Sequence, residues 1–239
     1  GALARGFERL LARLNEHTQY LRTLGGKLAH ELRTPLTIVR SSLDNLESEG
    51  VRADQRGFVI RAREGASRLQ SILSALGAAA RVEESIKQAE RVNFDLCELL
   101  HAAVAGYRDA FPSSRFELDA PADACPIWGA PDLIAQMLDK LVENAVDFCP
   151  ASGSITLRLA RAASNYEISV ANDGPPIPEA MIGRLFESLF EHREGRDDRP
   201  HFGLGLYIVR LIAEFHGGSA LAANRNGGGA IFTVVLPMI

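Results

Sequence analysis

Residues 27–36 read Lys27-Leu28-Ala29-His30-Glu31-Leu32-Arg33-Thr34-Pro35-Leu36. Leu28 and Leu32 lie four apart, so a helix puts them on one face. His30 is two positions from each, about 200° round the axis, and is expected to turn to solvent. Neutral imidazole is a good nucleophile at one nitrogen when the proton is held on the other. Glu31 is adjacent and suits that task. Thr34 is four residues on from His30, on the same face, where its hydroxyl can place a water. Pro35 removes the bond to the carbonyl of Glu31 and is expected to kink the helix there. A lone exposed helical histidine is ordinarily a solvated side chain. The patterns on either side give this one a use.

On the N-terminal side, Leu3, Phe7, Leu10, Leu14, His17, Leu21, Leu24 and Leu28 step by fours and threes, a heptad seam. Gly25 and Gly26 interrupt it at about 1 kcal/mol each relative to Ala. Beyond Pro35 the seam resumes with Val39, Leu43 and Leu46. Ser48 to Ala53 reads as a turn around Gly50. A second amphipathic helix follows, with Phe58, Ile60, Leu69, Ile72, Leu73, Leu76 and Val82. Two long helices and a short turn make an antiparallel hairpin. One hairpin cannot bury its apolar face, whereas two copies make a four-helix bundle, so a homodimer is expected.

The chain has 239 residues, 46% of them hydrophobic and 23% charged, enough for two modest globular domains with a real core. A net charge of −4 argues against a nucleic-acid partner, which needs a basic surface. No apolar run approaches the length of a membrane span and no signal peptide is visible. The opening in mid-helix reads as a piece of a longer chain. Cys97, Cys125 and Cys149 are widely spaced and odd in number, neither a metal pattern nor a disulfide framework, which suits a reduced, cytoplasmic setting.

Arg91 to Asp95 marks a boundary, after which the pattern is mixed. A strand at Val92–Phe94 leads to a helix near Leu96–Ala110. Arg115–Leu118 reads as a strand and Pro131–Phe148 as a long helix. Two alternating strands follow, Ser154–Arg161 and Tyr166–Ala171. Loops and a helix fill 174–202, and a helix spans Leu204–Phe215. Strands at Ser219–Ala223 and Ala230–Leu236 close the chain. This predicts an α/β domain with helices on one sheet.

Five motifs stand in order along this pattern. They are H-E-L-R-T-P at His30–Pro35, L-D-K-L-V-E-N-A-V-D-F at Leu138–Phe148, N-D-G-P-P-I-P at Asn172–Pro178, L-F-E-S-L-F at Leu185–Phe190 and F-G-L-G-L at Phe202–Leu206. Each glycine motif alone is weak. All five in this order resemble the bacterial two-component sensor histidine kinases, over roughly residues 15 to 237. The resemblance implies an all-α hairpin, dimeric as a four-helix bundle, followed by an α/β sandwich ATP-binding domain of the Bergerat type. Its divisions fall at 1–20 for the end of a HAMP-like signalling helix, 21–90 for dimerisation and phosphotransfer, and 91–239 for ATP binding.

The same resemblance implies the roles. His30 receives a phosphoryl group from ATP, assisted by Glu31 and, for the reverse hydrolytic step, Thr34. The group then passes to an aspartate on a response regulator receiver domain. ATP is expected against Lys140, Asn144, Asp147, Phe148, Asn172, Gly174, Ile177, Phe202, Gly203, Leu204, Gly205 and Leu206, with Asn144 as the ligand of Mg²⁺. The amide oxygen of Asn144 is a hard donor suited to that ion. Gly203 and Gly205 open a helix whose free N–H groups suit a phosphate. Residues 179–202 are expected to form a lid, with Arg193, Arg196 and Arg199 near the γ-phosphate. The parent protein is expected to be anchored in a bacterial inner membrane with this portion in the cytoplasm.

The chain departs from the family pattern at several positions. Lys140 replaces the first Asn of its motif, and Asp147 stands where a basic residue is usual. Asn172 replaces the adenine-reading Asp, Pro176 the second Gly, and His201 a leading Gly. An amide at 172 keeps an acceptor for the adenine amino group, and by flipping would offer N–H to a guanine carbonyl. Together the departures permit a second reading, a degenerate dimeric relay that binds nucleotide weakly. An ATP hydrolase fits less well, because Lys140 occupies the place of the water-activating Glu.

Overall fold

The computed structural model describes residues 32–48, 50–52, 54–187 and 204–238. The N-terminal seam, Gly25, Gly26, His30, Glu31, Phe202, Gly203 and the three lid arginines lie outside them. Contacts divide the chain into two units, with the break between Val82 and Glu83.

The first unit is the hairpin. Helix α1 covers residues 32–48 and helix α2 spans Arg56–Gln88. Gly50 turns the chain at φ +94°, a conformation open to glycine, and its N–H donates to the carbonyl of Glu47. The two helices are antiparallel: Arg63 meets Glu47 at 2.6 Å, while Arg40, further back along α1, meets Gln70, further on along α2, at 2.9 Å. Leu36, Ala66 and Leu73 form the buried seam, with Leu43 packed against it. The expected seam of Val39, Leu43 and Leu46 therefore splits. Leu43 joins Leu36 in facing α2. Val39 and Leu46, in register with Leu32 at steps of seven, stay about half exposed. The two stripes are neighbours on α1, and a single partner helix covers one of them.

The second unit is built on a five-stranded sheet in the order β2-β4-β5-β7-β6. The strands are β2 Arg115–Asp119, β4 Ser154–Ala162, β5 Asn165–Asn172, β6 Ser219–Asn224 and β7 Ala230–Pro237. The pair β2–β4 is parallel and the rest are antiparallel. Register aligns Leu157, Val170 and Phe232 across three strands, and likewise Leu159, Ile168 and Val234. All six are buried, so one face of the sheet carries the core. Helices α3 Leu96–Ala110, α4 Pro131–Phe148 and α6 Leu204–Phe215 pack on the sheet, giving two layers. Met137, Leu138 and Leu141 of α4 are fully enclosed. Truncating one such leucine to Ala is worth about 2–5 kcal/mol.

A separate two-stranded ribbon pairs β1 Val92–Asp95 with β3 Pro126–Gly129. Strand β3, four residues led by a proline, carries too little alternation to be read from sequence, whereas the single-turn helix α5 Glu179–Ile182 falls in the 174–202 stretch where the sequence places loops and a helix. Asp95 caps α3, and its Oδ1 accepts from the N–H groups of both Cys97 and Cys125 at 2.8 Å. That shared acceptor draws together two cysteines that are far apart in sequence. Their sulfurs are 3.1 Å apart, both thiols free and buried. Burial, then the Cys125 contact, pushes the Cys97 thiol up to about 12. Among the described residues no helix is long and apolar enough to cross a membrane.

Candidate functional site

Helix α4 carries four of the residues singled out from sequence, Lys140, Asn144, Asp147 and Phe148, so its placement comes first. Its N-cap, Ala130, has no side-chain cap, and Pro131 opens the first turn. The Ala130 N–H donates instead to Nε2 of His216, at 3.0 Å. Nδ1 of that ring lies 2.8 Å from the carbonyl of Ile212, so the neutral tautomer with the proton on Nδ1 satisfies both bonds. Burial holds His216 below its usual pKa. A Cβ on Gly129 would lie 2.6 Å from Cδ2 of His216, so the ring needs glycine there. Tyr107 on α3 donates to Asp139 at 2.7 Å, and burial followed by this bond raises the phenol's pKa.

Along α4, Lys140, Asn144, Asp147 and Phe148 form one stripe by helical spacing. Lys140 pairs with Glu143 at 2.6 Å. Asn144 is half-buried and Asp147 exposed. Phe148 is 43% exposed, so it is a wall residue rather than a core one.

The end of β5 meets the end of α4. Asn172 lies on the core-facing side of the sheet and is 1% exposed. Its Nδ2 donates to the carbonyl of Asp173 at 3.0 Å, while its Oδ1 is buried with no partner among the described residues. A buried unmet acceptor costs about 1–3 kcal/mol, so it marks a place where a donor belongs. A Cβ on Gly174 would come within 2.5 Å of the carbonyl oxygen of Phe148, so the loop approaches α4 closely only with glycine. Asp173 accepts from the N–H and hydroxyl of Ser154 and pairs with Arg225 at 2.7 Å. The two Ser154 bonds and then Arg225 hold its carboxyl below the usual range. Ile177 is bound through its backbone to Asn224.

At the other end of the stripe, the Cβ position of Gly205, on the first turn of α6, lies 3.9 Å from Cδ of Lys140. Leu206 is 7% exposed and belongs to the core. Leu204 opens α6. The structure thus brings Phe148, Asn172 and Gly174 together at the C-terminal end of α4 and Lys140 beside Gly205 further back, with Asn144 between along the helix. Thr34 stands exposed on α1 in the first unit. Sequence reasoning missed Asp173, Asn224, Arg225 and His216. The order N-D-G at 172–174 hinted at Asp173; nothing local hinted at the others.

The donor set suits an amino-bearing ring and a polyphosphate. An unmet acceptor at Asn172 takes an N–H, Asn144 offers a hard oxygen and Lys140 a cation.

Comparison with known proteins agrees. The family of histidine kinase-, DNA gyrase B-, and HSP90-like ATPases matches residues 129–239. The His Kinase A (phospho-acceptor) domain matches residues 20–85. The chain is 28% identical to the signal transduction histidine-protein kinase BaeS of Escherichia coli (strain K12), over all of this chain and 51% of that protein. It is 33% identical to the sensor protein CutS of Streptomyces coelicolor, over 99% of this chain and 57% of that one. The chain thus spans about half the length of these curated relatives. Among solved structures, the catalytic domain of histidine kinase ThkA superposes with a TM-score of 0.55 at 27% identity, covering 62% of this chain and 97% of that one. ShkA, solved in complex with AMPPNP, gives 0.62 at 25% identity over 90% of this chain and 45% of its own. With a phospho-acceptor hairpin followed by a histidine-kinase-type ATPase domain, the chain belongs to the catalytic cores of the two-component sensor histidine kinases.

Proposed function

We propose that this chain is an ATP-dependent protein histidine kinase that phosphorylates its own His30 and passes the group to an aspartate on a response regulator. The carrying observation is the buried, unpartnered Oδ1 of Asn172 beside Phe148 and Gly174, in a chain that also holds H-E-L-R-T-P. Asn172 Oδ1 accepts from the adenine amino group, Gly174 lets the ring approach the backbone, and Phe148 covers it. Lys140 and the first turn of α6, which holds Leu204 and Gly205, face the phosphates. Asn144 would hold Mg²⁺, whose charge offsets that of the triphosphate. A nitrogen of His30 attacks the γ-phosphorus and ADP leaves, while Glu31 holds the proton on the other imidazole nitrogen. Thr34 places the water for the reverse, hydrolytic step toward the regulator.

The domain divisions at 20 and 90, the homodimer and the membrane-anchored parent with this part in the cytoplasm belong to the same reading. The exposed stripe of Leu32, Val39 and Leu46 supports the dimer. The name of BaeS, a signal transduction histidine-protein kinase, supports the kinase. The test is incubation with labelled ATP and Mg²⁺. An acid-labile, base-stable label is expected on the wild type, and none on His30→Gln, which still binds ATP. Asn144→Ala is expected to lose Mg²⁺-ATP binding. A label that persists in His30→Gln, or an unlabelled wild type, would overturn the proposal.

A further inference from the structure

The segment after β5 is short of backbone hydrogen bonds by composition. Asp173 to Pro178 reads D-G-P-P-I-P, and its three prolines have no N–H to give. Pairing between β5 and β7 ends at Asn172 with Ala230. Beyond that point Ile177 holds the one N–H between Pro175 and Pro178. Both of its backbone groups go to a single side chain: its N–H donates to Asn224 Oδ1 at 2.7 Å, and its carbonyl accepts from Asn224 Nδ2 at 2.8 Å. The amide of Asn224 acts as one rung of a missing strand. The next residue, Arg225, pairs with Asp173 at 2.7 Å. Two neighbours at the tip of the β6–β7 hairpin thus grip the segment at both ends, leaving Gly174 between them. The hairpin comes this close because Gly229, at φ +88°, has no Cβ; one there would lie 2.1 Å from the carbonyl oxygen of Asn172.

We propose that Asn224 and Arg225 are positioning residues for the base-binding segment, holding Ile177 and Asp173 so that Asn172 and Gly174 keep the shape an adenine ring requires. This inference rests on the nucleotide reading above. Neither residue touches the ring; each acts through a residue of the segment. A segment with three prolines cannot refold onto the sheet when released, so the loss falls on ligand affinity rather than on the core.

The experiment measures ADP affinity by titration calorimetry on the full chain, with thermal unfolding of the unliganded protein alongside. Asn224→Ala and Arg225→Ala are each expected to weaken ADP binding about fivefold or more. The unliganded midpoint should stay within about 2 °C of wild type. Arg225→Lys, which keeps the charge for Asp173, should recover affinity to within about twofold. Asn224→Asp, which keeps the acceptor and loses the donor, should fall between wild type and Asn224→Ala. Unchanged affinity in both alanine variants would overturn this inference alone, as would a loss in Arg225→Lys equal to that in Arg225→Ala. A wild type that binds no ADP would overturn the kinase reading, and this inference with it.

Discussion

At Asn172 the hydrogen-bond pattern decides what an amide does in place of a carboxylate. Nδ2 is engaged by the carbonyl of Asp173, which leaves Oδ1 as the free acceptor. Flipping the amide toward a guanine carbonyl would set Oδ1 against that carbonyl oxygen, so the structure argues against the relaxed selectivity that the bare amide suggests. Asn172→Ala removes the acceptor and is expected to weaken ADP binding about tenfold, read by titration. Asn172→Asp gains charge at the base but turns its second oxygen on the Asp173 carbonyl. These effects oppose each other at about 1 kcal/mol each, so the variant should bind ADP within about threefold of wild type. A loss as large as alanine's would show that position 172 does not read the base. His216 gives a pH prediction. Its folded pKa lies below the ordinary value because burial disfavours the cation, an effect that the Ile212 carbonyl opposes and the Arg91 charge reinforces. The unfolded chain therefore takes up a proton first as pH falls. The stabilisation is complete above about pH 6.5 and is lost as pH drops from there toward the lower folded value. His216→Gln keeps an acceptor without a titrating group. Its unfolding midpoint should fall less between neutral pH and pH 5 than that of the wild type.

Among the elements, the hairpin carries its message in what it leaves bare. Leu36 and Leu43 face α2, while Leu32, Val39 and Leu46 face outward, and on α2 Phe58 and Leu69 are 67% and 55% exposed. Such a stripe is costly in water, at about 25 cal/mol per Å² of apolar surface. In the proposed homodimer, a second copy of the hairpin would cover it in a four-helix bundle. Val39→Glu with Leu46→Glu should move the protein from dimer toward monomer in sedimentation equilibrium while ADP binding persists. A double variant that stays dimeric at micromolar concentration would place the interface elsewhere. The helices and longer strands were legible because each is long and periodic. The four-residue β3 was not, since it is led by a proline and too short to show a period.

The whole molecule joins two kinds of machinery, and the proposed activity draws on both: a nucleophile in the first unit, a nucleotide in the second. Within the H-E-L-R-T-P motif, the proposed mechanism gives the forward and reverse steps to different side chains. Glu31→Ala is expected to cut autophosphorylation by about 10²-fold or more, since the imidazole proton loses its holder. Thr34→Ala should label normally with ATP yet slow release of phosphate from the phosphorylated regulator, followed by gel mobility of that regulator. If Thr34→Ala instead abolishes labelling, the hydroxyl serves the forward step and the division of labour is wrong.

The sequence by itself established the order of the five motifs, the hairpin with its turn at Gly50, and the helices and strands from Leu96 to Leu236 other than β3. These depend on the spacing of side chains within a few turns or a few strand residues, and such spacing is written in the chain. The tertiary structure decided which distant side chains meet. Arg225 reaches Asp173 across 52 residues, and His216 seats the start of α4 across 86. Cys97 and Cys125 share one acceptor, Leu206 turns into the core and Phe148 out of it. The first two of these depend on the close approach of chain segments that Gly129 and Gly229 permit, and no local period encodes it.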